Sequence, residues 1–372
     1  MKKHSLFSVL TLMLLILSLT SHADVIGKDN RVSADSLRED FATKTGLIHY
    51  STGTPGKNPV TITVCTGAMI GAGFILTAAH CAFDKYGNPI RNAMFSPGAK
   101  DPYHLPYGSF PIKYSYVPQD YDYDYKSTSM SIASDIAIMA IGQDQSEQDA
   151  NRLVGTFSYW GRKYPENEVP ITTIGYPSDK KNALFYETGC KVIKQYDNLL
   201  RLNCDVAKGQ SGGPLIRYSA EYDRNYIFGV ISGMSANDSY GAYISAERQQ
   251  IIKAIMNNRY DDTAFAEHWY EIEHPVDEIS VIVSNTCQSS EVLAGIRYKN
   301  LNGKWVNEGF YHIAAGTDML IAKTGNGIFY MSGTRDKGKS FLNRKDTRYD
   351  DVPYQKVQTF VYGPYTFPFG CR

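Results

Sequence analysis

Beyond residue 60 the chain is written in short apolar runs separated by turn residues. Val60-Thr61-Ile62-Thr63-Val64 alternates apolar and polar positions, the two-residue period that gives a strand one core-facing side. Ala68 to Ala79 is apolar and broken by glycine, and comparable runs recur at 136–141, 169–174, 184–192, 199–206, 215–218, 226–232 and 242–245. So many short strands with turn residues between them predict an all-β sandwich or barrel. The interval from Pro97 to Ser131 is rich in tyrosine, proline and aspartate and reads as long surface loops. One helix is expected, from Glu247 to Asn257, where Ile251, Ile252, Ile255 and Met256 gather near one face with Arg248, Gln249 and Lys253 elsewhere.

The same pattern divides the chain. A strand-rich body at 46–257 is followed by an acidic stretch at 258–278, read as a linker, and by a second strand-rich unit at 279–372. Ahead of the body, 24–45 is polar and aperiodic, either an ordered N-terminal arm or a short propeptide. Composition alters this little: 28 tyrosines and 31 glycines suit strands and turns. The 38 basic residues balance 38 acidic ones, so no net field points to nucleic acid or an anionic membrane as partner.

The first residues change the picture more. Lys2 and Lys3, a leucine-dominated run from Leu6 to Leu19, and Ser21-His22-Ala23 have the make-up of an export signal spanning 1–23. It is expected to be cut after Ala23, leaving a secreted or periplasmic bacterial product. The apolar run is short for a bilayer span, and no other segment comes near that length, so no stable membrane span is expected. In an exported chain the even set Cys65, Cys81, Cys190, Cys204, Cys287 and Cys371 points to disulfides, whose pairing spacing alone leaves open.

Three segments carry chemistry: Thr77-Ala78-Ala79-His80-Cys81, Ser134-Asp135-Ile136-Ala137-Ile138 and Gly209-Gln210-Ser211-Gly212-Gly213-Pro214. A serine attacks a carbonyl only when a base takes its proton, and histidine suits that task near neutrality. A buried carboxylate fixes the imidazole tautomer and stabilises the imidazolium that forms. Glycines around Ser211 let the backbone turn sharply, so that the amides of Gly209 and Ser211 are candidate donors to an oxyanion, worth about 2–4 kcal/mol each. Each segment alone is weakly specific. Their order, His80 then Asp135 then Ser211, is not.

In that order the segments make residues 46–257 resemble the trypsin-like serine protease family, nearest its bacterial branch that includes the glutamyl endopeptidases. The resemblance implies a chymotrypsin-like pair of six-stranded antiparallel barrels with a C-terminal helix, the catalytic cleft between them, and a peptide or protein substrate with no cofactor and no metal. It further implies the disulfides Cys65–Cys81 and Cys190–Cys204, leaving Cys287–Cys371 to bracket the second unit. Asp205 falls where trypsin keeps its pocket carboxylate, a place from which it would select Lys or Arg; the alternative is that it caps backbone amides beside Cys204. Gly241 falls where a glycine keeps that pocket open, Met234 where a second glycine is expected, and Ser232-Gly233 where the main chain pairs with an extended substrate. Two features depart from the pattern. Gln210 replaces the aspartate that pairs with a new N-terminus in trypsin-like zymogens, and Ile231 and Val206 stand where glutamyl endopeptidases hold a histidine and a threonine.

The second unit resembles DUF1036, a small bacterial β-rich domain, through Ser284-Asn285-Thr286-Cys287, Ala294-Gly295-Ile296-Arg297-Tyr298, Gly303-Lys304-Trp305 and Glu308-Gly309-Phe310-Tyr311. Tyr330, Tyr349, Tyr354 and Tyr365 are candidate exposed aromatics for a protein or glycan target, or else ordinary strand residues. No metal-spaced cluster, phosphate-cradling loop or DNA-binding pattern occurs. The expected activity is serine endopeptidase; the competing reading is a degenerate protease fold that serves as a binding or adhesion protein.

Overall fold

The computed structural model describes residues 25–37, 40–52, 61–124, 128–143, 148–161, 169–335, 347–349, 352–358 and 363–370. Residues 1–23, expected to form an export signal, and Cys371 lie outside the described residues.

Six strands close the first barrel: β1 (Thr45–Thr52), β2 (Thr61–Gly71), β3 (Phe74–Thr77), β4 (Met94–Pro97), β5 (Phe110–Pro118) and β6 (Ala137–Ile141). Six more close the second: β7 (Pro170–Gly175), β8 (Phe185–Tyr196), β9 (Leu199–Leu202), β10 (Pro214–Ser219), β11 (Arg224–Met234) and β12 (Ser239–Tyr243). Around each barrel the strands run first, second, third, sixth, fifth, fourth and back to the first, all antiparallel, so the two share one topology. Closure leaves neither barrel with a free edge.

Alternation along the strands sorts side chains between cores. In β1, Ile48 turns into the first barrel with Met69, Ile75, Phe95, Phe110, Ile112 and Met139. Its neighbour Leu47 faces the other way, into a cluster with Leu76 and Ile138 of the first barrel and Ile174, Ile216, Ile227 and Val230 of the second. Helix α1 (Ala246–Met256) adds Ile251, Ile252 and Ile255 to that shared core. Ser245 caps the helix by accepting from the Arg248 amide. Arg248 itself is buried, its guanidinium paired with Glu267 and donating to the carbonyls of Ala133 and Tyr243.

The loop reading of 97–131 fails at β5. There Phe110, Ile112 and Val117 are buried, but Pro111, Lys113 and Tyr114 between them blur the alternation. Within the linker, β13 (Trp269–Glu273) lies antiparallel against β5, and the amide of Asn92 donates to the carbonyl of Pro275. Asp277 then bonds Arg91 and Asn92, so this stretch is fastened to the first barrel.

The C-terminal unit comprises β14 (Ile279–Asn285), β15 (Val292–Lys299), β16 (Trp305–Ile313), β17 (Asp318–Thr324), β18 (Ile328–Arg335), β19 (Thr347–Tyr349), β20 (Val352–Gln358) and β21 (Gly363–Phe369). They form a three-stranded sheet, β17-β14-β21, and a five-stranded one, β16-β15-β18-β20-β19. Val281, Val283, Ile296, Phe329 and Met331 are among the residues packed between the sheets. The aromatics expected at its surface are mostly spent on this packing. Tyr354 is buried, Tyr330 is half-buried against Trp305, and Tyr365 sits edge-on to Phe329. The Tyr349 side chain lies outside the described residues.

Candidate active site

His80 leaves β3 on a single 3-10 turn, Ala79–Ala82, whose alanines are fully buried. A disulfide from Cys81 to Cys65 on β2 ties that turn to the barrel, with the two Cα atoms 6.1 Å apart. Asp135 follows the short helix Ser129–Ala133, which Thr128 caps through its side chain, and lies two residues before the start of β6. The two residues meet through both ends of one carboxylate. Asp135 Oδ1 accepts from the His80 amide at 2.9 Å, and Oδ2 lies 2.8 Å from His80 Nδ1. Because a carboxylate only accepts, the proton on the imidazole is held at Nδ1, which leaves Nε2 as the basic nitrogen. Asp135 is 3% exposed, so this pairing takes place away from water.

A third donor reaches the carboxylate. Ser232 on β11 donates its hydroxyl to Asp135 Oδ2. The sequence reading assigned Ser232 to main-chain pairing with substrate; its buried side chain works from the second barrel on the acid of the first.

Ser211 is half-buried and its backbone rests on the histidine turn. Its carbonyl accepts from the Thr66 amide at 2.8 Å and lies 3.8 Å from Cys81 Sγ, one residue beyond His80. Gly212 makes this approach possible. Its φ is +79°, and a Cβ there would fall on Thr77 Oγ1 and the Thr66 carbonyl.

The two amides expected to receive an oxyanion, those of Gly209 and Ser211, are aimed by what holds the carbonyls of their own peptide units. A trans peptide points its C=O and N–H in opposite directions, so fixing one fixes the other. The Lys208 carbonyl accepts from Ser178 N at 2.7 Å, which directs the Gly209 N–H. The Gln210 carbonyl accepts from Gly213 N at 2.8 Å, which directs the Ser211 N–H. Between them, Gly209 O accepts the Thr66 hydroxyl at 2.8 Å and Gln210 N reaches Ala207 O at 3.0 Å. Among the described residues the Gly209 and Ser211 amides have no partner, whereas those of Gln210, Gly212 and Gly213 all do. Two converging free amides beside a serine are the arrangement that stabilises negative charge on a carbonyl oxygen.

The residues expected at the specificity pocket are placed differently. Asp205 is 1% exposed and accepts from the amides of Ile26 and Asn30 and from Asn30 Nδ2, at 2.8–3.0 Å. Its carboxylate therefore caps the N-terminal arm. Gly241 is pressed against Val230 O and Leu215, where a side chain would not fit; Gly233 faces open space; Met234 is half-buried against the second barrel. Val206 and Ile231 are buried and apolar. Cys190 pairs with Cys204 between β8 and the segment after β9, and Cys287 is also disulfide-bonded. Cys65, His80 and Cys81 bring ligand-type atoms together, but the two sulfurs are joined to each other and offer no thiolate to a metal.

Sequence reasoning missed three residues: Ser232 in its side-chain role, Thr66 and Arg31. All three act over long stretches of chain. Arg31, on the arm, is fully enclosed and donates to Asp29, Asp179 and Gln210. The arm's Val32–Ser33 pairs with β8, and Glu187 on that strand accepts the Asp205 amide at 2.6 Å. Burial raises the Glu187 carboxyl to about 7, against the hydrogen bond from the Asp205 amide, which pulls it the other way.

The chain is similar to several known proteases. The glutamyl endopeptidase of Staphylococcus epidermidis is 26% identical over 189 residues, half of this chain and 61% of that protein. That of Bacillus licheniformis is 28% identical over 200 residues, 52% of this chain and 58% of its own length. The chain thus spans about three-fifths of these relatives. A solved structure of a Glu endopeptidase in complex with MPD aligns with TM-score 0.49 and 23% identity over 63% of this chain and 99% of that one. The Trypsin family profile matches residues 48–252, more than half of the chain, and the protein belongs to that family.

Proposed function

We propose that the protein is an exported serine endopeptidase in which Ser211 attacks the scissile carbonyl, His80 Nε2 takes and returns the proton, and Asp135 holds the imidazole. The amides of Gly209 and Ser211 receive the oxyanion. The observation that carries this reading is the double grip of one buried carboxylate on His80, at the amide and at Nδ1, with the Ser211 backbone seated on the next residue. A fold kept only for binding has no use for that grip or for two unpaired amides beside a half-exposed serine.

Substrate choice is the finer part of the proposal. The relatives are named for glutamyl cleavage, but here Val206 and Ile231 are apolar and buried, and Asp205 is occupied by the arm. We therefore carry neither a glutamyl nor a Lys/Arg preference to this chain. We assign recognition instead to main-chain pairing along β11 near Gly233, which depends little on side chains. The C-terminal unit, related to DUF1036 on its motifs, is the candidate carrier of target recognition. Export rests on the leader-like start and the disulfides; no helix among the described residues is long and apolar enough to cross a membrane.

The test is covalent labelling of the purified mature chain by a fluorophosphonate. Labelling is expected for the parent and lost in Ser211→Ala and in His80→Ala. A folded parent protein that fails to label sinks the proposal.

A further inference from the structure

The N-terminal arm grips the loop that carries the oxyanion donors at both of its ends. At the start, Asp205 Oδ1 accepts from Ile26 N at 2.9 Å and Oδ2 from Asn30 N at 2.8 Å. At the end, just before Ser211, Gln210 Oε1 accepts from Arg31 Nη1 at 3.0 Å and from Ala207 N at 2.8 Å. Arg31 spends every donor it has. Nε and Nη2 bond Asp29 at 2.9 and 3.1 Å, Nη1 and Nη2 bond Asp179 at 3.2 and 2.6 Å, and the second hydrogen of Nη1 goes to Gln210. Its side chain has no solvent exposure.

Asp179 lies in the 3-10 turn Ser178–Lys180, and the Ser178 amide is what holds the Lys208 carbonyl. That bond directs the Gly209 N–H. Gln210 belongs to the peptide unit that directs the Ser211 N–H. Arg31 thus touches the supports of both oxyanion donors, one through Asp179 and one through Gln210, without approaching the reacting atoms.

We infer that Arg31 is a positioning residue for the oxyanion hole, and that the arm at 25–37 is a working part of the catalytic domain rather than a removable propeptide. The inference rests on the Ser211 reading above. It assigns to a side chain fixed within the fold the task of bracing the loop before the nucleophile. A planar five-donor guanidinium is required because its three acceptors, Asp29, Asp179 and Gln210, surround a side chain that itself has no solvent exposure; lysine reaches at most part of that set.

The test compares parent, Arg31→Ala, Arg31→Lys and Asp179→Asn as full-length mature chains. Fluorophosphonate labelling is followed at several probe concentrations, which separates the limiting rate from probe affinity, and only the folded fraction is counted. Arg31→Ala is expected to lower the limiting rate about 10- to 100-fold, less than outright loss of a donor at about 10²–10³. Affinity for the probe should change little, Arg31→Lys should recover only part of the rate, and added guanidinium ion should restore some of it to Arg31→Ala. A residue that only stabilised the fold would lower the folded fraction and leave the limiting rate alone. A folded Arg31→Ala that labels within about twofold of the parent overturns the inference. Should that variant not fold, Asp179→Asn decides: its carboxyl is partly exposed, and a fall of about 3- to 10-fold is expected where an unchanged rate refutes. Failure of the parent itself to label would instead remove the underlying protease reading.

Discussion

Thr66 offers a test in which two physical accounts predict opposite orders. Its residue is fully buried, its hydroxyl donates to Gly209 O at 2.8 Å, and it accepts from Tyr176 N at 3.1 Å. Thr66→Val replaces the hydroxyl by a methyl of nearly the same size, so packing is preserved. Gly209 and Tyr176 are themselves buried, and their carbonyl and amide lose their partner. Each orphaned group costs about 1–3 kcal/mol, so the expected loss is about 2–6 kcal/mol. Thr66→Ser keeps both bonds and removes one methyl, for about 1 kcal/mol. Hydrophobic burial alone ranks valine above serine at this dry site; the hydrogen-bond account ranks serine well above valine. Urea unfolding of the catalytic barrels, followed by intrinsic fluorescence, reads the order directly. The Thr66 amide still holds Ser211 O in both variants, so any extra loss of fluorophosphonate labelling in Thr66→Val reports on the two hydroxyl bonds, to Gly209 O and from Tyr176 N. If the valine variant equals or exceeds the serine variant in stability, the reasoning about this loop is wrong.

Two further outcomes follow from buried polar groups. Ser232→Ala removes one donor from the Asp135 carboxylate and is expected to slow labelling about 10- to 150-fold with normal expression, since a hydrogen bond to a charged group is worth about 1.5–3 kcal/mol; a rate within about twofold of the parent removes Ser232 from the machinery. Stability should also change with pH from two sides. Burial lowers His49 and His274 to about 4, so their contribution is complete above the ordinary histidine range and falls by about 3 kcal/mol each as pH drops from 6.5 toward 4. Glu187 is raised to about 7, so its contribution is complete below about 4.5 and falls by about 3 kcal/mol as pH rises through 7. Urea midpoints against pH should lose about half of the acid slope in His274→Gln, His49 carrying the rest, and lose the neutral slope in Glu187→Gln; unchanged slopes would refute the burial argument.

How far the sequence could be read depended on the range of the interaction. The barrel strands whose apolar residues are contiguous, such as Ala137–Ile141 and Arg224–Met234, were visible in the pattern because both of their faces are buried. Strand β5 was not, because the alternation is carried by three residues while Lys113, Tyr114 and the flanking prolines resemble a loop. His80, Asp135 and Ser211 stand out in the sequence because each sits in a short motif with its own backbone requirement. The residues that support them have no such signature. Ser232 meets Asp135 across 97 positions, Thr66 meets Gly209 across 143, and Arg31 meets Gln210 across 179. An arginine in a polar leader-adjacent segment carries no local sign that it will be buried.

Gln210 is where the two kinds of information meet. In sequence it is a departure, a neutral residue where trypsin-like zymogens hold an aspartate that waits for a new N-terminus. In the fold the cation is already present as Arg31, and its charge is already opposed by Asp29 and Asp179. The guanidinium bond holds the Asp29 carboxyl well below the usual range, so it is ionised throughout the physiological span. A third carboxylate at position 210 would add a charge beside Asp29 and Asp179, which Arg31 and Lys180 already balance, and would have to be desolvated against a fully enclosed guanidinium, a cost with no new cation to offset it. Glutamine supplies the acceptor that Arg31 and the Ala207 amide need, and adds no charge. The departure is therefore what a loop braced by an internal arginine requires. Gln210→Asp should weaken the brace rather than restore a zymogen pair, lowering the limiting labelling rate without creating any dependence on N-terminal processing.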